Sequence, residues 1–100
     1  VDDTLDVFVD VLAPDLTTWL NAIHFTQVLG NGGAKKFFAV LDPSNPGTAV
    51  IDASADAAAA AVRPALFGPQ LRGRYTVVDP GWGAASFTFS LRLYATGYPV

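Results

Sequence analysis

The residue best suited to acid–base chemistry is His24, the only histidine in a chain of 100 residues. A histidine takes the proton from a serine or cysteine nucleophile when an aspartate orients its ring. The chain has no cysteine and no Gly-x-Ser-x-Gly sequence, which would mark a nucleophile on a sharp turn. A lone histidine directly after a predicted helix more often packs against or caps the end of that helix. We therefore predict no catalytic residue and no enzymatic activity.

Carboxylates near the start of the chain could serve acid–base chemistry or bind a hard cation. Asp6 and Asp10 lie four residues apart on a predicted strand, about 13 Å from each other, which is too far to share a proton. Asp2, Asp3 and Asp6 could contribute to a calcium site, but no Asp-x-Asp-x-Asp-Gly loop is present. We predict no metal site and interpret these carboxylates as solubilising charges on an exposed strand, where they also discourage unwanted edge pairing.

The glycine-rich segment 30–36, Gly-Asn-Gly-Gly-Ala-Lys-Lys, invites comparison with a phosphate-binding loop. That loop needs four residues between its glycines and a Gly-Lys-Ser/Thr sequence that opens a helix. Here the residues that follow, Phe-Phe-Ala-Val-Leu, are typical of a strand, so no helix N-terminus is available for phosphate. The segment is better interpreted as a hairpin turn, and we predict no bound cofactor.

Arginine and aromatic residues of the second half of the chain could form a protein–protein interface, because these residue types are enriched at binding hot spots. Trp82 lies in a glycine-flanked turn, where a large ring either folds back onto the core or docks into a partner. A solvated polar sheet face is the alternative for the residues on strands. The candidate interface residues are Trp82, Arg72, Arg74, Tyr75, Arg92 and Tyr94.

The composition limits the classes of partner. Charged residues make up 15% of the chain, against roughly 25% in a typical soluble domain. The net charge of −3 argues against nucleic-acid binding, and no apolar run approaches the ~18 residues of a membrane-spanning helix. A weakly charged surface on a small domain suggests that part of it is covered in the working state. We expect a partner that is either another copy or a larger protein assembly, in an undetermined compartment.

The elements that must position these residues follow from periodicity and turn residues. Alternating apolar residues predict strands, and apolar residues at i, i+3, i+4 and i+7 after Asp15 predict a short helix. The Asp15 carboxylate is expected to cap this helix by accepting backbone N–H groups. A second helix is predicted where Ser54 could cap a run of alanines, which have high helix propensity. The predicted strands are 4–13, 24–29, 36–41, 48–53, 72–78 and 86–94; the predicted helices are 15–23 and 54–62.

The predicted architecture is an α+β fold, a single globular domain over residues 1–100. It has a mostly antiparallel sheet of about five to six strands and two short helices. All nine acidic residues are aspartates, which favour turns and strand ends, and the turns between predicted elements are short. Residues 25–41 are expected to form one hairpin of this sheet.

Two functions from different classes agree with these features. The first is a non-enzymatic structural subunit that packs in a homo-oligomer or onto a larger shell, for example as a virion coat, decoration or tail-completion protein. The low charge, the alanine-rich face and the turn at Trp82 motivate this hypothesis. The alternative is a monomeric binding module for a peptide or small ligand, which would use the sheet face or the loops around Gly30 and Trp82.

Overall fold

The computed structural model describes residues 3–30, 32–42, 50–63, 70–79 and 87–93. These residues form a small antiparallel β-sheet domain that contains no helix, so the predicted α+β fold with two helices is wrong. In the same ranges there is consequently no helix long and apolar enough to cross a bilayer. The strands are β1 Thr4–Leu12, β2 Trp19–His24, β3 Val28–Leu29, β4 Ala61–Val62 and β5 Leu71–Val78.

Strand β1 lies in the middle of the sheet. Along one edge it pairs with β5 over eight residues, from Thr4 opposite Val78 to Val11 opposite Leu71. Along its other edge it pairs first with β3 and then with β2, and β4 pairs with β2 beyond it. The strands predicted at 4–13 and 72–78 are therefore confirmed as β1 and β5.

A β-bulge in β2 decides which residues share a face of the sheet. Val9 of β1 lies opposite Ile23, whereas the next residue, Asp10, lies opposite Asn21, so Ala22 is the extra residue. A bulge inserts one residue into one strand and re-aims the side chains on either side of it. Asn21 consequently meets Asp10 on one face, while Ile23 meets Val9 on the other.

The apolar core lies on the face of β1 that carries its odd-numbered residues. Val9 and Val11 pack with Ala22 and Ile23, all of them buried. The partly buried side chains that cover this cluster are Phe25, Ala39, Leu41 and Val62. Because successive strand residues point to opposite faces, the even-numbered residues of β1, including Asp10, lie on the second face.

The first predicted helix is a turn followed by strand β2. The Asp15 carboxylate accepts backbone N–H groups, as a helix cap would, from Thr17 at 3.0 Å and Thr18 at 2.8 Å. These bonds close a tight turn, because Leu16 has a φ of 61° and so cannot continue a right-handed helix. A helix of two turns is marginal by itself, and pairing with β1 outweighs its apolar periodicity.

The second predicted helix is also absent. Ala60 has a φ of 66°, and the backbone of Ala57 is bound by side chains of β2 rather than by neighbouring turns. The side chain that accepts a local backbone N–H group here is Asp52 and not Ser54. The Asp52 carboxylate accepts the Ser54 N–H at 2.9 Å. An alanine helix would bury little surface, so the hydrogen bonds to the sheet prevail in this segment.

The remaining predicted strands are formed only in part. Of residues 24–29, His24 ends β2 and the last two residues form β3. Residues 36–41, 50–53 and 87–93 are not strands, so the predicted hairpin over 25–41 is wrong. Residues 48–49 and Trp82 lie outside the described residues.

Candidate functional site

The second face of the sheet is organised around Asp10, whose exposed fraction is 1%. The register of β5 places Arg72 directly opposite Asp10 and Arg74 two pairs further along, opposite Phe8. Both guanidinium groups donate from Nε to the same carboxylate oxygen, Oδ2 of Asp10, at 2.9 Å from Arg72 and 2.7 Å from Arg74. A buried carboxylate therefore fastens the edge strand β5 to the central strand β1.

Asn21 connects this carboxylate to the segment 50–63. Its Nδ2 group donates to Oδ1 of Asp10 at 3.1 Å and to the carbonyl of Ile23 at 3.0 Å. Its Oδ1 atom accepts the backbone N–H of Ala57 at 2.8 Å. Every buried side-chain nitrogen or oxygen in the described parts of the chain has a partner, so this polar face is fully satisfied.

Asp10 is ionised in this setting. Burial acts to raise its pKa, but hydrogen bonds from Arg74, Asn21 and Arg72 outweigh the loss of water, and the pKa lies below its ordinary value. The resulting charge balance is local, because two guanidinium groups surround one carboxylate and Asp56 also binds Arg74.

Arg72 and Arg74 also cover aromatic rings of the same face. The guanidinium carbon of Arg72 lies 4.5 Å from the centre of the Trp19 ring, and that of Arg74 lies 4.0 Å from the centre of Phe8. The arginine side chains are 45% and 32% exposed, so each presents only part of its surface to solvent. These two candidate interface residues thus hold the fold together as well as facing outward.

His24 is held on the same face by two oxygens. Its Nδ1 atom lies 2.7 Å from the carbonyl oxygen of Ala57, and its Nε2 atom lies 2.8 Å from Oδ1 of Asp6. The ring stacks on Phe8 with centroids 4.2 Å apart, and Gln27 donates to the second oxygen of Asp6 at 2.9 Å. Both ring nitrogens are engaged inside the fold, so neither offers a free lone pair to a substrate.

Asp10 is buried and Asp6 is partly buried, against the prediction of solubilising charges on an exposed strand. The side chain of Asp6 is 14% exposed and that of Asp10 is 2% exposed. The prediction failed because alternation on β1 does not tell which face the rest of the chain covers. No cluster of three metal-ligating side chains occurs among residues 3–30, 32–42, 50–63, 70–79 and 87–93.

The opposite face of β5 is apolar and is flanked by residues 87–93. The rings of Tyr75 and Phe89 meet edge to face with centroids 5.5 Å apart. A Cβ atom on Gly73 would lie 2.5 Å from Cδ2 of Leu91, so that leucine occupies the space above the glycine. Tyr75 thus lies beside Phe89, and Gly73 lies beside Leu91. Residues 87–93 therefore run antiparallel to β5.

Exposed apolar side chains cluster where β5 and this segment meet, and we call them the β5 surface. Each of them is more than a third exposed, and Tyr75 and Leu93 reach 62% and 63%. Arg92 is an exposed residue of the same segment, whereas Trp82 and Tyr94 lie outside the described residues. The β5 surface comprises Leu71, Tyr75, Val77, Phe89, Leu91 and Leu93.

A small pocket lies at the other side of the sheet, beside β4. It is lined by Ile23 and Val62 and by the aromatic rings of Phe25, Phe37 and Phe38. Its volume of about 90 Å³ is well below the roughly 300–1,000 Å³ of pockets that enclose small ligands. It has room for one side chain and not for an organic cofactor.

Asp10 and Asn21, the two residues that organise the polar face, were not predicted from the sequence as a site. One signal was available, namely an aspartate within the most apolar strand and two arginines at alternate positions of another strand. These features predict a buried ion pair only if the two strands are neighbours, and the sequence does not fix the strand order.

Comparison with known proteins adds no family to this description. No protein-family model, no curated protein and no solved structure matches the chain. The features that bear on function are therefore the two sheet faces, one polar with its hydrogen bonds made, the other apolar and exposed along β5.

Proposed function

We propose that this chain is a non-enzymatic assembly module that associates with further copies of itself through the β5 surface. The observation that carries the proposal is the cluster of six exposed apolar side chains on β5 and residues 87–93. Exposed apolar clusters of this kind are uncommon on monomers and are typical of protein–protein contacts. Association removes them from water, which is favourable in proportion to the apolar area buried.

The polar face supports the same proposal because its side chains are already engaged and are not free to bind a ligand. Asp10, Asn21 and His24 already have their hydrogen-bonding partners inside the fold. Recruiting them to a ligand would require these bonds to break, and each buried group left without a partner costs about 1–3 kcal/mol. Binding at the apolar face breaks no such hydrogen bonds, so a partner can bind there without rearrangement of the sheet.

A second copy of the chain is the partner that best fits the β5 surface. The surface carries no acidic side chain, and the chain as a whole has few charges to repel an identical neighbour. Two copies related by a twofold axis place the same patch on both sides of the contact, so one apolar cluster covers another. Tyr75 and Leu93, the most exposed members, are expected at the centre of that contact.

Light scattering coupled to size-exclusion chromatography, performed over a wide range of concentrations, tests the proposal. The wild-type chain should form a dimer or larger closed species, and Tyr75→Ser and Leu93→Ser should shift it to the monomer. Phe38→Ser is the matched control, because Phe38 is 92% exposed but lies outside the β5 surface. A wild-type chain that stays monomeric at every concentration would overturn self-association.

A monomeric binding module is the second candidate, and the pocket beside Phe38 favours it. An aromatic ring that is 92% exposed at the edge of an apolar pocket could clamp a single apolar side chain of a peptide. In that case Phe38→Ser should abolish peptide binding while leaving the mass of the chain in solution unchanged. The same pair of variants, at Phe38 and Leu93, thus separates the two functions.

A further inference from the structure

We propose that His24 carries a proton on both ring nitrogens in the folded chain and acts as a pH-sensitive clasp between the sheet and residues 55–57. The proposal rests on the two oxygens that face the ring. The carbonyl of Ala57 lies 2.7 Å from Nδ1 and the carboxylate of Asp6 lies 2.8 Å from Nε2. Both distances are those of direct hydrogen bonds.

The chemistry of the partners fixes the number of protons. A carbonyl oxygen only accepts, so the bond to Ala57 requires a hydrogen on Nδ1. An ionised carboxylate also only accepts, so the bond to Asp6 requires a hydrogen on Nε2. Gln27 donates to the other oxygen of Asp6 at 2.9 Å, which favours the ionised carboxylate. Only the imidazolium form satisfies both bonds at once.

The neutral ring must give up one of the two bonds. A neutral imidazole has one N–H group, and its second nitrogen carries a lone pair. The bond to the carboxylate is charge-assisted and is the stronger of the two. We therefore expect the deprotonated ring to keep its hydrogen bond to Asp6. Its Nδ1 lone pair then faces the carbonyl oxygen of Ala57, and that carbonyl loses its hydrogen-bond donor.

The release would loosen the segment that crosses the polar face. Both backbone groups of Ala57 are held by side chains of β2, the N–H by Asn21 and the carbonyl by His24. Ala57 is only 8% exposed, so its carbonyl gains little water when the ring lets go. Loss of the clasp should therefore weaken the attachment of residues 55–57 without unfolding β1 and β2.

The charged groups around the ring are consistent with a cation. From β1 the ring faces Asp6, and Phe8 separates it from the guanidinium group of Arg74 on β5. Arg74 is in turn bound by Asp10 and by Asp56 of the crossing segment. The residues of 37–39 and of β4 that line the adjacent pocket carry no charge.

The sign of the pH dependence follows from linkage. The two hydrogen bonds made by the doubly protonated ring exist only in the folded chain, so folding favours that form of the ring. Stability should therefore fall as the pH rises and the ring loses one proton. The expected fall in the folding equilibrium constant is roughly tenfold, the worth of one charge-assisted hydrogen bond.

Nuclear magnetic resonance of the ring nitrogens tests the protonation state directly, because the chain has a single histidine. At about pH 6.5, near the middle of the ordinary titration range, both nitrogens of the folded chain should give imidazolium shifts. The amide of Ala57, which is buried and donates to Asn21, should begin to exchange faster with solvent only when these shifts change. A neutral ring at this pH, with one nitrogen bearing a lone pair, would overturn the proposal.

Asp6→Asn provides the matched variant. An asparagine at this position can turn its amide toward Nε2 and donate to a neutral ring, so the second proton is no longer required. Its stability should not depend on whether the ring is protonated, whereas the wild-type chain should lose roughly tenfold in its folding equilibrium constant when the ring is deprotonated. Equal pH profiles for the two proteins would contradict the clasp, and a folded Asp6→Asn chain keeps this comparison valid.

Discussion

Asp10 is the residue at which three strands meet, and its removal should be the most costly single polar substitution. In Asp10→Asn the new amide would turn its donor toward Asn21 or the guanidinium groups of Arg72 and Arg74, which are donors themselves. We expect the free energy of unfolding, measured in urea at neutral pH, to fall by about 2–3 kcal/mol. A fall of that size is expected because both guanidinium groups lose the buried negative charge to which they donate.

Asp56→Asn is the control, because it removes a second carboxylate from the same guanidinium group. The side chain of Asp56 is 44% exposed, whereas that of Asp10 is 2% exposed. An exposed ion pair contributes less than about 1 kcal/mol, so this variant should remain close to the wild type. Equal losses in the two variants would contradict the central position of Asp10.

Acid should destabilise the fold through the same carboxylate. The pKa of Asp10 is lower in the folded chain than in the unfolded chain, because the bonds from Arg74, Asn21 and Arg72 outweigh its burial. Its contribution is complete above the ordinary aspartate value of about 3.9 and is lost as the pH falls through the folded value. Unfolding measured down this range should therefore show the wild type converging on Asp10→Asn, and a constant gap between them would contradict the assignment.

The hydrogen bonding of Asp15 could be predicted from the sequence, whereas the element that it caps could not. The Asp15 carboxylate was expected to accept backbone N–H groups, and it does, with its pKa lowered to about 2 by the Thr18 hydroxyl and by the N–H groups of Thr17 and Thr18. The same local bonds close a helix or a turn equally well. Pairing with β1, which is non-local, selects the turn.

At the scale of the elements, the turn between β1 and β2 stores a strain that can be relieved. Leu16 has a φ of 61° and an exposed side chain, so its backbone is unfavourable for any residue with a Cβ atom. Leu16→Gly removes that strain, and after the extra entropy of glycine in the unfolded chain we expect a gain of about 0.5–1 kcal/mol.

Leu16→Ala serves as the control for this turn, because it removes the leucine side chain but retains the Cβ atom. Its stability in thermal or urea unfolding should lie within about 0.5 kcal/mol of the wild type. If alanine stabilised the chain as much as glycine does, the exposed leucine rather than the backbone conformation would be the cause. The comparison thus assigns the effect to the backbone.

The antiparallel course of residues 87–93 beside β5 can be tested with engineered disulfides, since the chain has no cysteine of its own. The contact between Tyr75 and Phe89 predicts that the pair Tyr75→Cys/Phe89→Cys oxidises within one chain. The pair Tyr75→Cys/Leu93→Cys, displaced by four residues or roughly 13 Å, should not. Mass spectrometry under dilute conditions measures both, and equal oxidation would contradict the alignment.

The predicted sixth strand shows what alternation alone can and cannot establish. Phe89, Leu91 and Leu93 alternate with polar residues, and the segment does run antiparallel to β5 as a hairpin partner would. It is nevertheless not a strand in the described residues, because a strand needs backbone bonds as well as a side-chain pattern. Direction and neighbourhood were thus predictable here, while hydrogen bonding was not.

At the scale of the whole molecule, the buried polar side chains in the described residues have hydrogen-bond partners within one chain. The apolar side chains of the β5 surface, by contrast, remain exposed to water. Interior polar bonds of one chain do not depend on how many copies are present, whereas burial of the β5 surface by another copy does. Stability should therefore have two separable parts, one fixed by the network around Asp10 and one that rises with protein concentration.

Thermal unfolding at several concentrations separates these parts. For a dimer the folded state should gain about 1.4 kcal/mol per mole of dimer for each tenfold increase in concentration. Leu93→Ser should remove this dependence, because Leu93 is 63% exposed and most of its surface is free for a contact with another copy. Asp10→Asn should lower the unfolding midpoint at every concentration and keep the dependence. If the wild-type midpoint did not move with concentration, the β5 surface would not be a contact between copies, and the pocket beside Phe38 would be the next site to probe.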